Sequence, residues 1–334
     1  MAHRKDDLTA VRGVLVGQAE SEDGGTGVTV VRFATASPTV VDVRGGASAT
    51  YDTASLSVDA TFGRRWAIFF AGGSIFGLDA ARGVRARVLD TGGGHRAFGN
   101  PNRVVPISGA ALFDLPTNVG RLPDYEALGA LATRRASRRP IAQGSVGAGA
   151  GATVGKYLGR GRAMRGGVGS SSARIRGGPT VGVLAVVNSV GAICDPASGR
   201  WVAGARAPRG GISPPDRAWN RTARSRGTTL TLVATDASLD RPALARVAAI
   251  VHTGLARAIV PYHTSTDGDV VFAVATGGTS STGEERWPGA TADRIGTAAA
   301  DRAVAAVLSG VRGANRGLSD AGRKIDEPRK SLRS

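Results

Sequence analysis

At 334 residues, 42% of them apolar, the chain is long enough for one large domain or two modest ones and too apolar to be disordered throughout. Its one cysteine, Cys194, excludes an intrachain disulfide framework and a cysteine-based zinc site, and makes a reducing, cytoplasmic setting the expectation. Lys and Arg outnumber Asp and Glu by 43 to 26, a net charge of +17, but the arginines are scattered and no aromatics interleave with them. A solvated basic surface is therefore expected, and no nucleic-acid partner.

In chain order, residues 11–16 and 27–33 read as strands around an acidic Gly-rich turn, and residues 40–43 as a further strand. Residues 66–71 form a buried strand that stops at Gly72-Gly73-Ser74, and a helix is predicted over 76–89 with Leu78, Ala81 and Val84 on one side. Residues 104–115 hold a strand and a turn, and 125–133 a helix. The Gly-rich tract 144–169 is flanked by strand patterns, so it reads as closely approaching backbone and not as low complexity. A strand over 180–187 is followed by a polar, basic, Pro- and Gly-rich linker over 205–227. Then come a strand at 228–235, an amphipathic helix at 243–259, a strand at 269–276 and an Ala-rich helix at 291–308. From Gly313 onward the chain is polar and charged and reads as a disordered tail. Strands and helices without strict alternation predict α+β layers. The first seven residues lead into no apolar run, and the best candidate span, 181–193, is too short and contains Asn188, so no leader and no membrane span are expected.

Several motifs fail. The run from Gly147 to Lys156 matches neither a dinucleotide loop nor a phosphate loop, because the acidic partner of the first and the Ser/Thr of the second are missing. His3, His95, His252 and His263 lack metal-ligand spacing, and no Gly-x-Ser-x-Gly elbow exists. No cofactor and no metal are expected.

The chemistry gathers elsewhere. Gly227-Thr228-Thr229 joins the polar linker to a strand. Alone it is a common turn-to-strand junction. If the Gly227–Thr228 bond were cut, however, Thr228 would gain a free amine of reference pKa about 8 that can take the proton of its own hydroxyl. Asp267-Gly268-Asp269 opens a later strand, and a period of two puts both carboxylates on one face, where they need a cation such as that amine. They could equally be strand caps. Lys156 is the one lysine between residues 6 and 323 of an arginine-rich chain, which suggests a need for a compact cation. With Asn188, polar at the end of an apolar strand, it could bind an oxyanion, or each could simply end a strand.

The chain resembles the DmpA family of N-terminal-nucleophile hydrolases, the L-aminopeptidase/D-esterase family, over residues 8–310. The resemblance rests on Gly27-Val28-Thr29-Val30-Val31, Asp42-Val43-Arg44-Gly45-Gly46-Ala47, Gly72-Gly73-Ser74-Ile75-Phe76-Gly77, the run from Gly147 to Lys156, Val186-Val187-Asn188, Thr228-Thr229, and His263-Thr264 leading into Asp267-Gly268-Asp269. It implies a four-layer αββα sandwich shared with ornithine acetyltransferases. It also implies autocatalytic cleavage into residues 1–227 and 228–334, the two chains staying together in one domain, as a tetramer of such heterodimers. The implied activity is hydrolysis of peptide or amide bonds, most simply as an aminopeptidase. A close branch, the nylon-oligomer hydrolases, cuts 6-aminohexanoate oligoamides internally. Carried over by motif, Thr228 is the nucleophile, Asp267 and Asp269 assist it, Lys156 and Asn188 bind substrate or oxyanion, and Ser74 and Phe113 border the substrate. Phe113 stands where some members have a Tyr, whose hydroxyl is missing here. Residues 46–53 depart from the family's usual Pro-Gly-Thr-Arg-Glu-Thr pattern. The rival reading is a non-catalytic basic binding protein with a dead processing site.

Overall fold

With aromatics scarce, the layers must pack on Val, Leu, Ala and Gly, and the strands show how. In the computed structural model, which describes residues 6–96, 101–115, 122–215, 225–279 and 289–316, nine strands form one continuous ladder. The principal ones are β1 (Val14–Glu20), β2 (Gly27–Val43), β3 (Arg64–Ala71), β4 (Ile107–Ala111), β5 (Gly167–Arg174), β6 (Thr180–Asn188), β7 (Thr228–Ala237) and β8 (Val270–Thr279). Their order is β5-β6-β7-β8-β2-β3-β4, with the short strand Ala49–Tyr51 beyond β4 and β1 paired to β2. Pairing is antiparallel except for β7 with β8 and β3 with β4.

The ladder doubles back at β2. Its first half pairs with β1 and β3, from Val28 opposite Ala71 to Arg32 opposite Ala67. Its second half pairs with β8, from Thr39 opposite Val274 to Val43 opposite Val270. Three strands separate β6 from β3 along the ladder, yet Leu184 and Val186 share one buried cluster with Ile68 and Phe70. The two halves therefore lie face to face, and the Phe70 and Phe272 rings meet at 5.9 Å across the gap.

Alternation assigns the outer faces. Val181, Val183, Ala185 and Val187 of β6 point away from that gap and pack on α3 (Arg241–Ala258) and α4 (Ala290–Asn315). Val28 and Val30 of β2, with Ala67 and Phe69 of β3, pack on α1 (Ala80–Asp90) and α2 (Tyr125–Arg135). The result is an α+β, four-layer αββα sandwich.

Several expectations are corrected. Residues 27–33 and 40–43 are one strand, because the partly exposed stretch around Ala34–Ser37 is where β2 leaves one sheet for the other and its register slips. β1 starts at Val14 and not Val11, because residues 8–10 form a 3-10 turn that ends at Val11, and Gly13 at φ 84° turns the chain before the strand. The helix over 76–89 is a 3-10 segment, Ser74–Asp79, running into α1, because Gly77 lies hard against the Gly72 carbonyl. The final helix runs to Asn315, so residues 313–315 are helical and not tail; residues 317–334 lie outside the described residues, as do 216–224 of the linker. The described part of that linker includes a small hairpin, Ala205–Arg206 with Ile212–Ser213. The Gly-rich tract does mark close approach, since a Cβ at Gly149 or Gly155 would overlap the backbone of Gly167–Val168 or Gly204–Ala205. Among the described residues no helix is long and apolar enough to cross a membrane.

Candidate active site

Register brings the distant motifs to one end of the ladder. Asn188, the last residue of β6, pairs with Thr228, the first of β7. Gly227 forms a parallel bridge with Asp267, just ahead of β8. Thr228, Lys156, Asn188, Asp267 and Asp269 are all buried.

Lys156 follows Gly155, whose left-handed φ of 76° turns the chain inward. Its ammonium donates to Asn188 O at 2.6 Å, Asn188 Oδ1 at 2.8 Å and Arg226 O at 3.1 Å, which uses all three N–H groups. Burial pushes its pKa down to about 7, and the Asp267 carboxylate opposes that shift. Asn188 is held from both ends of its amide. Thr153 N–H donates to its Oδ1 at 2.9 Å, and its Nδ2 donates to the Phe113 carbonyl at 3.0 Å.

The two aspartates have separate tasks. Asp267 accepts from Val190 N–H at 3.1 Å and from the Thr264 hydroxyl, and its pKa is raised by burial first and by the neighbouring Asp269 second. Asp269, fully buried, accepts from Thr229 N–H at 2.7 Å through Oδ1. Its Oδ2 takes both the backbone N–H and Nδ1 of His263, each at 3.0 Å. Neither carboxylate hydrogen-bonds Thr228; Asp269 grips the residue after it.

The Gly227–Thr228 peptide lies at the centre. The Thr228 hydroxyl donates to the Gly227 carbonyl, its own preceding residue. The same carbonyl accepts Gly268 N–H at 3.0 Å, and Gly227 N–H donates to Thr266 O at 3.1 Å. A hydroxyl oxygen thus touches a carbonyl that a fixed backbone donor already polarises. A Cβ at Gly227 would overlap Asp267 Oδ1 and Val190 N, so this position has no room for a side chain. Phe113 flanks the segment, with the Arg226 guanidinium 5.6 Å from its ring centroid.

Ser74 N–H donates to Leu112 O at 2.8 Å, in the segment that leads from β4 to Phe113. Sequence reasoning passed over the Gly268 N–H. It also passed over His263, judged by metal spacing alone although it stands in the motif that leads to the aspartates.

The αββα sandwich holds this buried polar cluster at one end of its ladder. A family profile described as peptidase family S58 matches residues 6–325, and the chain belongs to that family. It is accordingly an enzyme that hydrolyses peptide or amide bonds. An uncharacterized aminopeptidase of Mycobacterium tuberculosis is 38% identical over 335 residues, covering 92% of this chain and 93% of the relative. A 6-aminohexanoate-oligomer endohydrolase of a Kocuria species is 31% identical over 274 residues, covering 79% and 73%. Among solved structures, the L-aminopeptidase D-Ala-esterase/amidase of Ochrobactrum anthropi, described as a variant of the Ntn hydrolase fold, superposes with a TM-score of 0.62 at 19% identity, covering 92% of this chain and 85% of that one. A Burkholderia β-aminopeptidase superposes at 0.61 with 23% identity, covering 93% and 86%.

Proposed function

We propose that the chain cuts itself between Gly227 and Thr228 and then acts as an aminopeptidase through an acyl-enzyme on Thr228. The observation that carries this reading is the Thr228 hydroxyl set against the Gly227 carbonyl, with Gly268 N–H on the same oxygen. Attack forms the Thr228 Oγ–C bond and breaks the Gly227–Thr228 C–N bond, giving an ester and a free Thr228 amine. Water then hydrolyses the ester. The amine so released becomes the base for later substrates, taking the hydroxyl proton and passing it to the leaving nitrogen. Lys156 and Asn188 hold the acyl side, while Asp269 fixes the head of β7 through Thr229.

The relative named as an endohydrolase keeps a second reading open, internal cleavage of oligoamides. The confined space around Gly227 favours it for unbranched acyl groups. The family resemblance extends the proposal to a tetramer of cut heterodimers, and the single cysteine to a cytoplasmic setting.

Intact mass tests the central step. Wild-type protein should run as fragments of roughly 23 and 11 kDa in place of 33.9 kDa, the smaller beginning at Thr228. Thr228→Ala should give one uncut, inactive chain, and Thr228→Ser should still cut. A wild-type chain that stays whole yet hydrolyses amides would require another nucleophile.

A further inference from the structure

The ester formed during self-cleavage is itself an acyl-enzyme, and its acyl group is the chain ending in Ser225-Arg226-Gly227. Whatever grips those residues before the cut is therefore the acyl-side binding site of the working enzyme. Four contacts make the grip. Gly227 N–H donates to Thr266 O at 3.1 Å, Lys156 Nζ donates to Arg226 O at 3.1 Å, Ser225 Oγ donates to Lys156 O at 2.9 Å, and Phe113 faces the Arg226 guanidinium at 5.6 Å. Only the first would remain for a substrate whose acyl group is a single N-terminal residue. The other three require an acyl group that continues toward its N-terminus.

Resting on the assignment of Thr228 as nucleophile, we propose that the mature enzyme also cleaves internally in extended chains, after a glycine preceded by a cationic, planar residue, with Arg-Gly as the preferred pair. Glycine is demanded because a Cβ at that position would overlap Asp267 Oδ1 and Val190 N. Arginine is preferred because a guanidinium lies over the Phe113 face, where a carboxylate would be repelled by the ring. Phe113, standing where some family members carry Tyr, becomes a specificity residue. In each turnover the Thr228 Oγ–C bond forms as the amide C–N bond breaks. The hydroxyl proton passes through the Thr228 amine to the departing nitrogen. Water then gives its hydroxyl to the acyl carbon and its proton back to Thr228 Oγ.

The test uses purified wild-type protein whose cut state is first established by intact mass. It is assayed on four para-nitroanilides: acetyl-Ser-Arg-Gly, acetyl-Ser-Glu-Gly, acetyl-Ser-Arg-Ala, and glycine with a free amine. Acetyl-Ser-Arg-Gly should exceed acetyl-Ser-Glu-Gly about fivefold in kcat/KM. It should exceed acetyl-Ser-Arg-Ala about 100-fold, the loss expected when a reacting carbonyl is displaced by an ångström. In Phe113→Ala the Arg-to-Glu ratio should fall toward one; the ratio is taken within one preparation, so a folding defect cancels. Cut protein that hydrolyses the glycine anilide but spares acetyl-Ser-Arg-Gly, or that does not separate Arg from Glu, overturns this inference and leaves the Thr228 mechanism standing. Protein that stays whole overturns the mechanism and this inference with it.

Discussion

Asp269 reaches Thr229 N–H with one carboxylate oxygen and His263 with the other, so under the proposed mechanism it would act by placing the β7 head and not through bulk charge. Asp269→Asn is nearly isosteric but turns one of these oxygens into a donor facing N–H groups. Turnover in the processed mutant should fall by about 10² or more while the fold survives. Near-normal turnover would reduce the residue to a strand cap. Lys156 carries a second expectation. Its three acceptors need all three ammonium hydrogens, and it is charged in the folded protein only below about 7. Asp267, Asp114 and Asp269 favour that charge, whereas burial and Arg160 oppose it. Self-cleavage should therefore slow as pH rises from 6 to 9, since a neutral amine has one donor fewer for Arg226 O; a rate that climbs through that range would remove Lys156 from the step. The depressed pKa also sets a stability slope. Between about 7 and the ordinary 10.5 the unfolded chain holds a proton that the folded one has released, so this residue's contribution to stability rises with pH across that window. Lys156→Met should lose both the activity and that slope. That Thr228, Asp267, Asp269, Lys156 and Asn188 belong together was legible in the sequence through the family motifs, with Lys156 also standing out as a lone lysine in an arginine-rich chain. Their division of labour was not, because hydrogen bonds such as Asp269 to Thr229 depend on register between strands 40 residues apart.

At the scale of elements, long periodic helices were legible and their ends were not. The amphipathic helix expected at 243–259 is α3, but its start lies two residues earlier. Asp240 is the N-cap and accepts Ala243 N–H at 2.8 Å, with Pro242 in the first turn. Asp240→Ala should cost about 1 kcal/mol of unfolding free energy, read by denaturant titration, without altering the mass pattern of the cut protein. A loss near zero would mean that packing of α3 on β6 and α4 alone fixes its start. β2 shows the opposite difficulty. A strand that changes sheets has no single inner face, so its alternation breaks in the middle and a local pattern reads it as two.

The whole molecule explains why a chain cut at Gly227 would hold together. β7 and β8 of the small fragment lie between β6 and β2 of the large one, and α4 packs on β5 and β6. Separation would strip hydrogen bonds from both flanks of the β7–β8 pair and open two buried clusters, so the fragments should co-purify. The layering followed from family resemblance and from the mix of strands and helices. The crossover through β2 did not, because it joins residues far apart in the chain.

That interleaving has a bearing on how the protein matures. Gly227 meets Gly268 only when β7 has docked beside β8, and β8 finds its outer partner only in β2, near the other end of the chain. A ribosome must therefore finish nearly all of the chain before the severing geometry exists. If the chain cuts itself at Gly227 as proposed, scission would certify that assembly is complete: a misfolded copy would keep its tether and its idle hydroxyl, and a shift in gel mobility would count the properly assembled molecules in a cell.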